Sequence, residues 1–139
     1  MSADFLDTKV LVYSFDSDAP AKRDRSRALI ATALQDHSAT ISYQVVQEFL
    51  NVATRKFASP MTGSQASDYL NAVLMPLCTV WPSRNLYLTA LNVREETGFS
   101  FYDALIVAGA LEASCKRLLT EDLQDGRVIR GLKIVNPFR

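Results

Sequence analysis

The chain has 139 residues, 48% hydrophobic and 22% charged, enough for one domain with a real core and too short for two ordinary ones. That balance excludes a disordered segment. Fifteen Lys and Arg offset fifteen Asp and Glu, so net charge gives a nucleic-acid partner no support and a local basic patch is needed.

Asp4, Asp7 and Lys9 interrupt the apolar run MSADFLDTKVLVY, which therefore does not read as a signal peptide. The longest apolar or small stretch, Ala104 to Leu111, falls far short of the ~20 residues of a membrane span. The expectation is one soluble cytoplasmic domain over residues 1–139 with no membrane partner. Cys78 and Cys115 have no CxxC spacing; a disulfide between them is one reading, and buried free thiols the favoured one.

In chain order, Asp4 to Asp7 starts a short strand, and Asp7-Thr8 opens a helix to about Phe15. Ala21 to Gln35 is a helix behind a helix-starting proline, and Ala39 to Ser42 is a strand. Gln44 to Lys56 is amphipathic, with Val45, Val46, Phe49, Leu50, Val52 and Ala53 on one arc. Ser64 to Leu74 forms another helix, Cys78 to Trp81 a strand, and Asn85 to Thr97 a helix stopped by Gly98. Phe101 to Cys115 is a helix apolar nearly all round, hence buried. Arg117 to Thr120 and Leu132 to Val135 are short strands. Apolar strands alternating with helices predict an α/β domain, its mostly parallel sheet covered on both faces. Ligands of such sheets sit beyond the carboxyl ends of the strands, where Asp7 and Asp122 both fall.

Candidate chemistry rests on carboxylates. Asp7 is a helix cap, a site residue, or both. Glu48 borders its helix's apolar arc without a cation at the favoured spacings, and either reaches to water or serves a site. Asp103 follows Ser100 by three residues, as in a capping box, and is equally placed as a metal ligand. Asp122 comes just after the strand that ends at Thr120, whereas Asp125-Gly126 has turn chemistry. Brought together in a partly dry site, these acids repel by several kcal/mol unless a cation sits among them, and a divalent ion on oxygen ligands points to phosphodiester chemistry. Other motifs are missing: there is no GxSxG, no phosphate loop and no zinc spacing, and His37 is the sole histidine. Lys22, Arg23, Arg25 and Arg27 form either a solvated face or a site for phosphate backbone or an acidic partner segment, with Arg55 and Lys56 second.

Through FLDTKVLVYSFD, ISYQVVQEFLNVATRKF, FSFYDALIVAGALEASCKRLLTEDLQDG and IVNPF, the chain resembles the PIN-domain ribonucleases, specifically VapC-type toxins of toxin–antitoxin pairs. The resemblance implies a three-layer α/β/α sandwich and a metal-dependent endoribonuclease. Asp7, Glu48, Asp103 and Asp122 become its catalytic and metal-binding acids, and Asp125 an accessory metal acid. It also implies Mg²⁺ (or Mn²⁺) activating water against a single-stranded or looped RNA, a small antitoxin as partner, and a homodimer. Where the family commonly has Asp-Thr-Asn, this chain has Asp7-Thr8-Lys9. The lysine is free to pair with Asp103 or Glu48 and compete with the metal, to contact substrate phosphate, or to point away. Lys9 supports an alternative, a catalytically weakened PIN module acting through protein binding. A PIN nuclease of RNA processing without an antitoxin is a further alternative.

Overall fold

The structure is a computed structural model that describes residues 3–139. The elements follow as β1 (Asp4–Leu6), α1 (Thr8–Tyr13), α2 (Pro20–Asp36), β2 (Ala39–Ser42), α3 (Tyr43–Arg55), α4 (Gly63–Tyr69), a π-helical turn (Leu70–Leu74) and α5 (Met75–Leu77). Then come β3 (Cys78–Val80), α6 (Arg84–Thr97), α7 (Phe101–Glu112), β4 (Arg117–Leu119), β5 (Val128–Ile129) and β6 (Leu132–Val135). The strands form one sheet in the order β3-β2-β1-β4-β6-β5. All neighbouring pairs are parallel except β5 with β6.

Both directions of travel start from the centre of this sheet. From β1 the chain steps outward to β2 and β3, then returns across β1 to lay down β4 on its other side. Right-handed crossovers then put the helices from α1 to α5 on one face and α6 with α7 on the other, the expected three-layer sandwich. In α7, Gly109 lies against the Phe5 ring and Ser42, where an added Cβ would stand 3.5 Å from both. Phe5, Leu118 and Ile134 are completely buried at the sheet centre, and Phe49 of α3, equally buried, stacks on Tyr69 within the same apolar core. A second cluster joins Val80, Leu86, Ala90, Leu105 and Ala108 where α6 meets α7. Cys78 and Cys115 are free and buried.

Two local differences from the expected elements have clear causes. The helix expected over Ser64 to Leu74 changes character at Leu70, where the Met75 N–H bonds the Leu70 carbonyl. Pro76 has no N–H for Ala72 and its ring crowds that carbonyl, so the helix widens by one residue per turn. The strand β5 is too short to show alternation. It exists because Arg130 and Gly131 take φ of 50° and 84°, the left-handed pair that folds a tight hairpin onto β6.

Leu118→Ala should lower the unfolding free energy by about 2–5 kcal/mol in urea denaturation, through lost burial and a residual cavity. Val128→Ala, at a side chain 60% exposed, should change it by no more than about 0.5 kcal/mol.

Candidate active site

The site follows from strand order. Between β1 and β4 the chain's two excursions diverge, which opens a crevice at the carboxyl ends of these neighbours. In register, Leu6 pairs with Leu119, so the residues just beyond each strand meet. Asp7 leaves β1 in extended conformation and caps α1, its Oδ1 accepting the Thr8 N–H at 2.7 Å. Its Oδ2 accepts from the Thr120 hydroxyl at 2.7 Å. The same Thr120 oxygen accepts the Asp122 N–H at 3.1 Å, tying the fourth acid's backbone to the first acid's carboxylate.

Glu48 projects from the middle of α3 toward the start of α1. Its Oε1 accepts from the Thr8 hydroxyl at 2.6 Å, and its Oε2 from Gln44 Nε2 at 3.3 Å. Gln44 also donates to the Tyr102 carbonyl at 3.1 Å, which joins α3 to the first turn of α7. In that turn the Asp103 N–H donates to the Ser100 hydroxyl at 3.2 Å, as the capping spacing predicts. The Asp103 carboxylate makes no hydrogen bond or ion pair among the described residues.

Asp7, Glu48, Asp103 and Asp122 all line one cleft of about 380 Å³, together with Thr8, Lys9 and Gln44. Asp125 does not line it. Its Oδ1 accepts the Asn136 N–H at 2.8 Å and its Oδ2 lies 3.9 Å from Arg139, so its carboxylate serves the turn. The basic run of α2 is occupied locally: Lys22 bonds Glu121, Arg23 bonds Asp24, and Arg25 and Arg27 donate to the carbonyls of Pro137 and Ser14.

A PIN-domain sequence profile matches residues 5–128. The chain belongs to the PIN-domain family. It is 34% identical over 122 residues to Ribonuclease VapC7 of Mycobacterium tuberculosis, an alignment spanning 84% of this chain and 80% of the relative. That likeness puts this PIN protein among the VapC-type toxin nucleases. The fold superposes on a toxin–antitoxin complex from Klebsiella pneumoniae with a TM-score of 0.67, at 21% identity over 96% of this chain and 97% of the other. It superposes equally, at 0.67, on VapBC2 from Rickettsia felis bound to a promoter DNA fragment, at 18% identity over 94% and 96% of the two chains. Among the described residues no helix is long and apolar enough to cross a membrane.

Electrostatics in this PIN cleft are dominated by Asp7. Burial pushes its carboxyl up to about 6, and the charges of Asp122 and Glu48 add to the rise, while the bonds from Thr120 and Thr8 oppose it. Lys9 pairs with neither Asp103 nor Glu48. Its Nζ stands 2.8 Å from Asp122 Oδ1 and 3.9 Å from Glu121 Oε1. Glu121 is held in turn by the Tyr13 hydroxyl and by Lys22 at 2.9 Å.

No three Asp, Glu, His or Cys side chains among the described residues form a ready-made metal cage. The donor set still fits a hard divalent ion that keeps several of its waters. Its donors are carboxylate oxygens of residues lining the cleft, and each Asp7 and Glu48 oxygen accepts one bond from a neutral group, which leaves a second lone pair on each.

Sequence reasoning missed the residues that orient the acids. Gln44 had a signal in its spacing of four from Glu48, and Thr120 in its place between a strand and an acid. The Tyr13–Glu121 contact spans 108 positions and had none.

Asp7 also predicts a pH dependence. Its folded-state carboxyl lies above the ordinary 3.8, so its stabilising influence is complete below that value and is lost as pH rises through about 6. Metal-free Asp7→Asn should therefore be more stable than the parent at about pH 8, on the order of 1–3 kcal/mol, and the gap should close toward about pH 4. Urea midpoints measured across that range check it, and a parent more stable than the variant at high pH would refute it.

Proposed function

We propose that this PIN protein is a divalent-metal-dependent endoribonuclease, with Mg²⁺ as its ion and Mn²⁺ as a substitute, acting as the toxin of a toxin–antitoxin pair. The observation that carries the reading is the convergence of Asp7, Glu48, Asp103 and Asp122, from four separate segments, on one cleft at the carboxyl ends of β1 and β4. Asp103 keeps its carboxylate unbonded and Asp7 and Glu48 keep a second lone pair on each oxygen to hold the ion, and Asp122 adds charge from the wall where Lys9 answers it. When bound, the ion supplies Lewis-acid activation of water and of the scissile phosphate.

The chain's own residues do the positioning. Thr8, Thr120 and Gln44 fix the carboxylates of Asp7 and Glu48, so little reorganisation remains when substrate enters. The α7 N-terminus offsets part of Asp103's charge. His37, which follows α2, does not line the cleft, and hydrolysis in this scheme requires no histidine base. An accessible single strand or loop of RNA is the substrate that suits such a cleft.

A relative named a ribonuclease and neighbours solved as toxin–antitoxin complexes support the substrate and the antitoxin partner. A cytoplasmic location, one PIN domain over residues 1–139 and a homodimer belong to the same proposal. Tyr87, Leu88 and Leu91 on α6 expose 40–48% of their surface and offer the apolar face that a second copy would cover. The second reading, a weakened module acting through protein binding, has the Lys9–Asp122 ion pair on its side.

Purified protein should cut a mixed RNA pool with Mg²⁺ or Mn²⁺ and stop in EDTA. Asp7→Asn and Asp103→Asn should each lose roughly 100-fold or more in rate, equivalent to about 2.7 kcal/mol of transition-state stabilisation. Cutting that survives EDTA or both substitutions would sink the nuclease reading. A folded parent that never cuts above the EDTA background would favour the binding module.

A further inference from the structure

The four acids of the cleft are not answered alike. Asp7 and Glu48 receive only neutral donors: a backbone N–H, two threonine hydroxyls and a glutamine amide. The Asp103 carboxylate receives none among the described residues. Asp122 alone is given a full positive charge, at 2.8 Å. Negative charge is therefore left open on one side of the cleft and cancelled on the other.

The cancelling cation is braced. Lys9 is the second residue of α1, two positions beyond Asp7, so its side chain starts at the cleft wall. Its ammonium lies between Asp122 and Glu121, and Glu121 is fixed from behind by Tyr13, one helical turn on from Lys9, and by Lys22 of α2. Asp122 is fixed too, through its N–H on Thr120 and from there to Asp7. The ammonium and its carboxylate are half-exposed, at 51% and 39%, so ions from solvent have access to both. Even so, the brace holds a compact, three-donor cation against Asp122.

Resting on the metal-dependent reading above, we propose that Lys9 is a resident cation of this acid cleft, so that the site takes one divalent ion, on the Asp7–Glu48–Asp103 side, and no second one on Asp122. Lys9 acts through Asp122 and is a positioning residue. Its fixed charge occupies the carboxylate that a second ion on this side would need, and the ion number is set by the chain itself.

Ion number is measurable without turnover. Mn²⁺ titrated into the purified full-length chain at neutral pH, with free Mn²⁺ read by electron paramagnetic resonance, should give one ion per chain. Lys9→Met should give two. Lys9→Arg, which keeps the charge, should stay at one. The double variant Lys9→Met/Asp122→Asn should return to one, because the released carboxylate is removed again. Circular dichroism confirms that each variant is folded, and Lys9→Gln replaces Lys9→Met if that variant is not. Two ions on the parent, one on Lys9→Met, or a second ion that survives Asp122→Asn would each overturn the proposal while leaving the metal reading in place. No Mn²⁺ on parent or variants would overturn the metal reading and this proposal with it.

Discussion

β1 and β4 lie side by side although 113 positions separate Asp4 from Arg117, and the Arg117 guanidinium grips the Asp4 carboxylate with two bonds of 2.7 Å at their start. Everything at the other end of these strands depends on that pairing. It brings Thr120 to Asp7, and Thr120 carries Asp122. The loop-closure entropy of so distant a contact is offset by the buried centre of the sheet, where Phe5 and Leu118 are fully enclosed. The cleft is thus a by-product of the core: the strands must pair to bury their side chains, and their ends then have to meet.

The same pairing concentrates charge. Desolvation and two neighbouring carboxylates raise the Asp7 carboxyl to about 6, and the protein answers mainly with neutral donors. Hydroxyl and amide donors orient a carboxylate without cancelling it, so the field in the cleft stays negative. A fold selected for stability alone would have used cations here or no acids at all. Lys9 breaks this pattern at one point and divides the cleft into an open side and a satisfied side.

How much was legible in the sequence varied with the range of the interaction. The helices α2, α3, α6 and α7 follow from local periodicity and caps, and their observed ends lie within a few residues of those expected. Asp7 and Ser100 do cap their helices, as their spacing suggests. The π-helical turn was hidden because a proline at position 76 reads as a helix end, whereas packing of Leu74 and Leu77 holds the chain helical around it. β5 escaped because two residues show no alternation. Asp125-Gly126 carried turn chemistry in the sequence while the family resemblance made Asp125 an accessory metal acid, and its bond from the Asn136 N–H shows the turn role.

By itself the sequence determined the α/β class, the element order, the family resemblance and the set of acids from which a site could be made. Each of these is written in local pattern or in motif order along the chain. Tertiary structure decided which acids meet, which groups orient them, and that Lys9 faces Asp122 and Glu121 rather than Asp103 or Glu48. Those are contacts between residues far apart in the chain. They are fixed by strand order and by the direction of each Cα–Cβ bond, which depend on how the whole sheet packs.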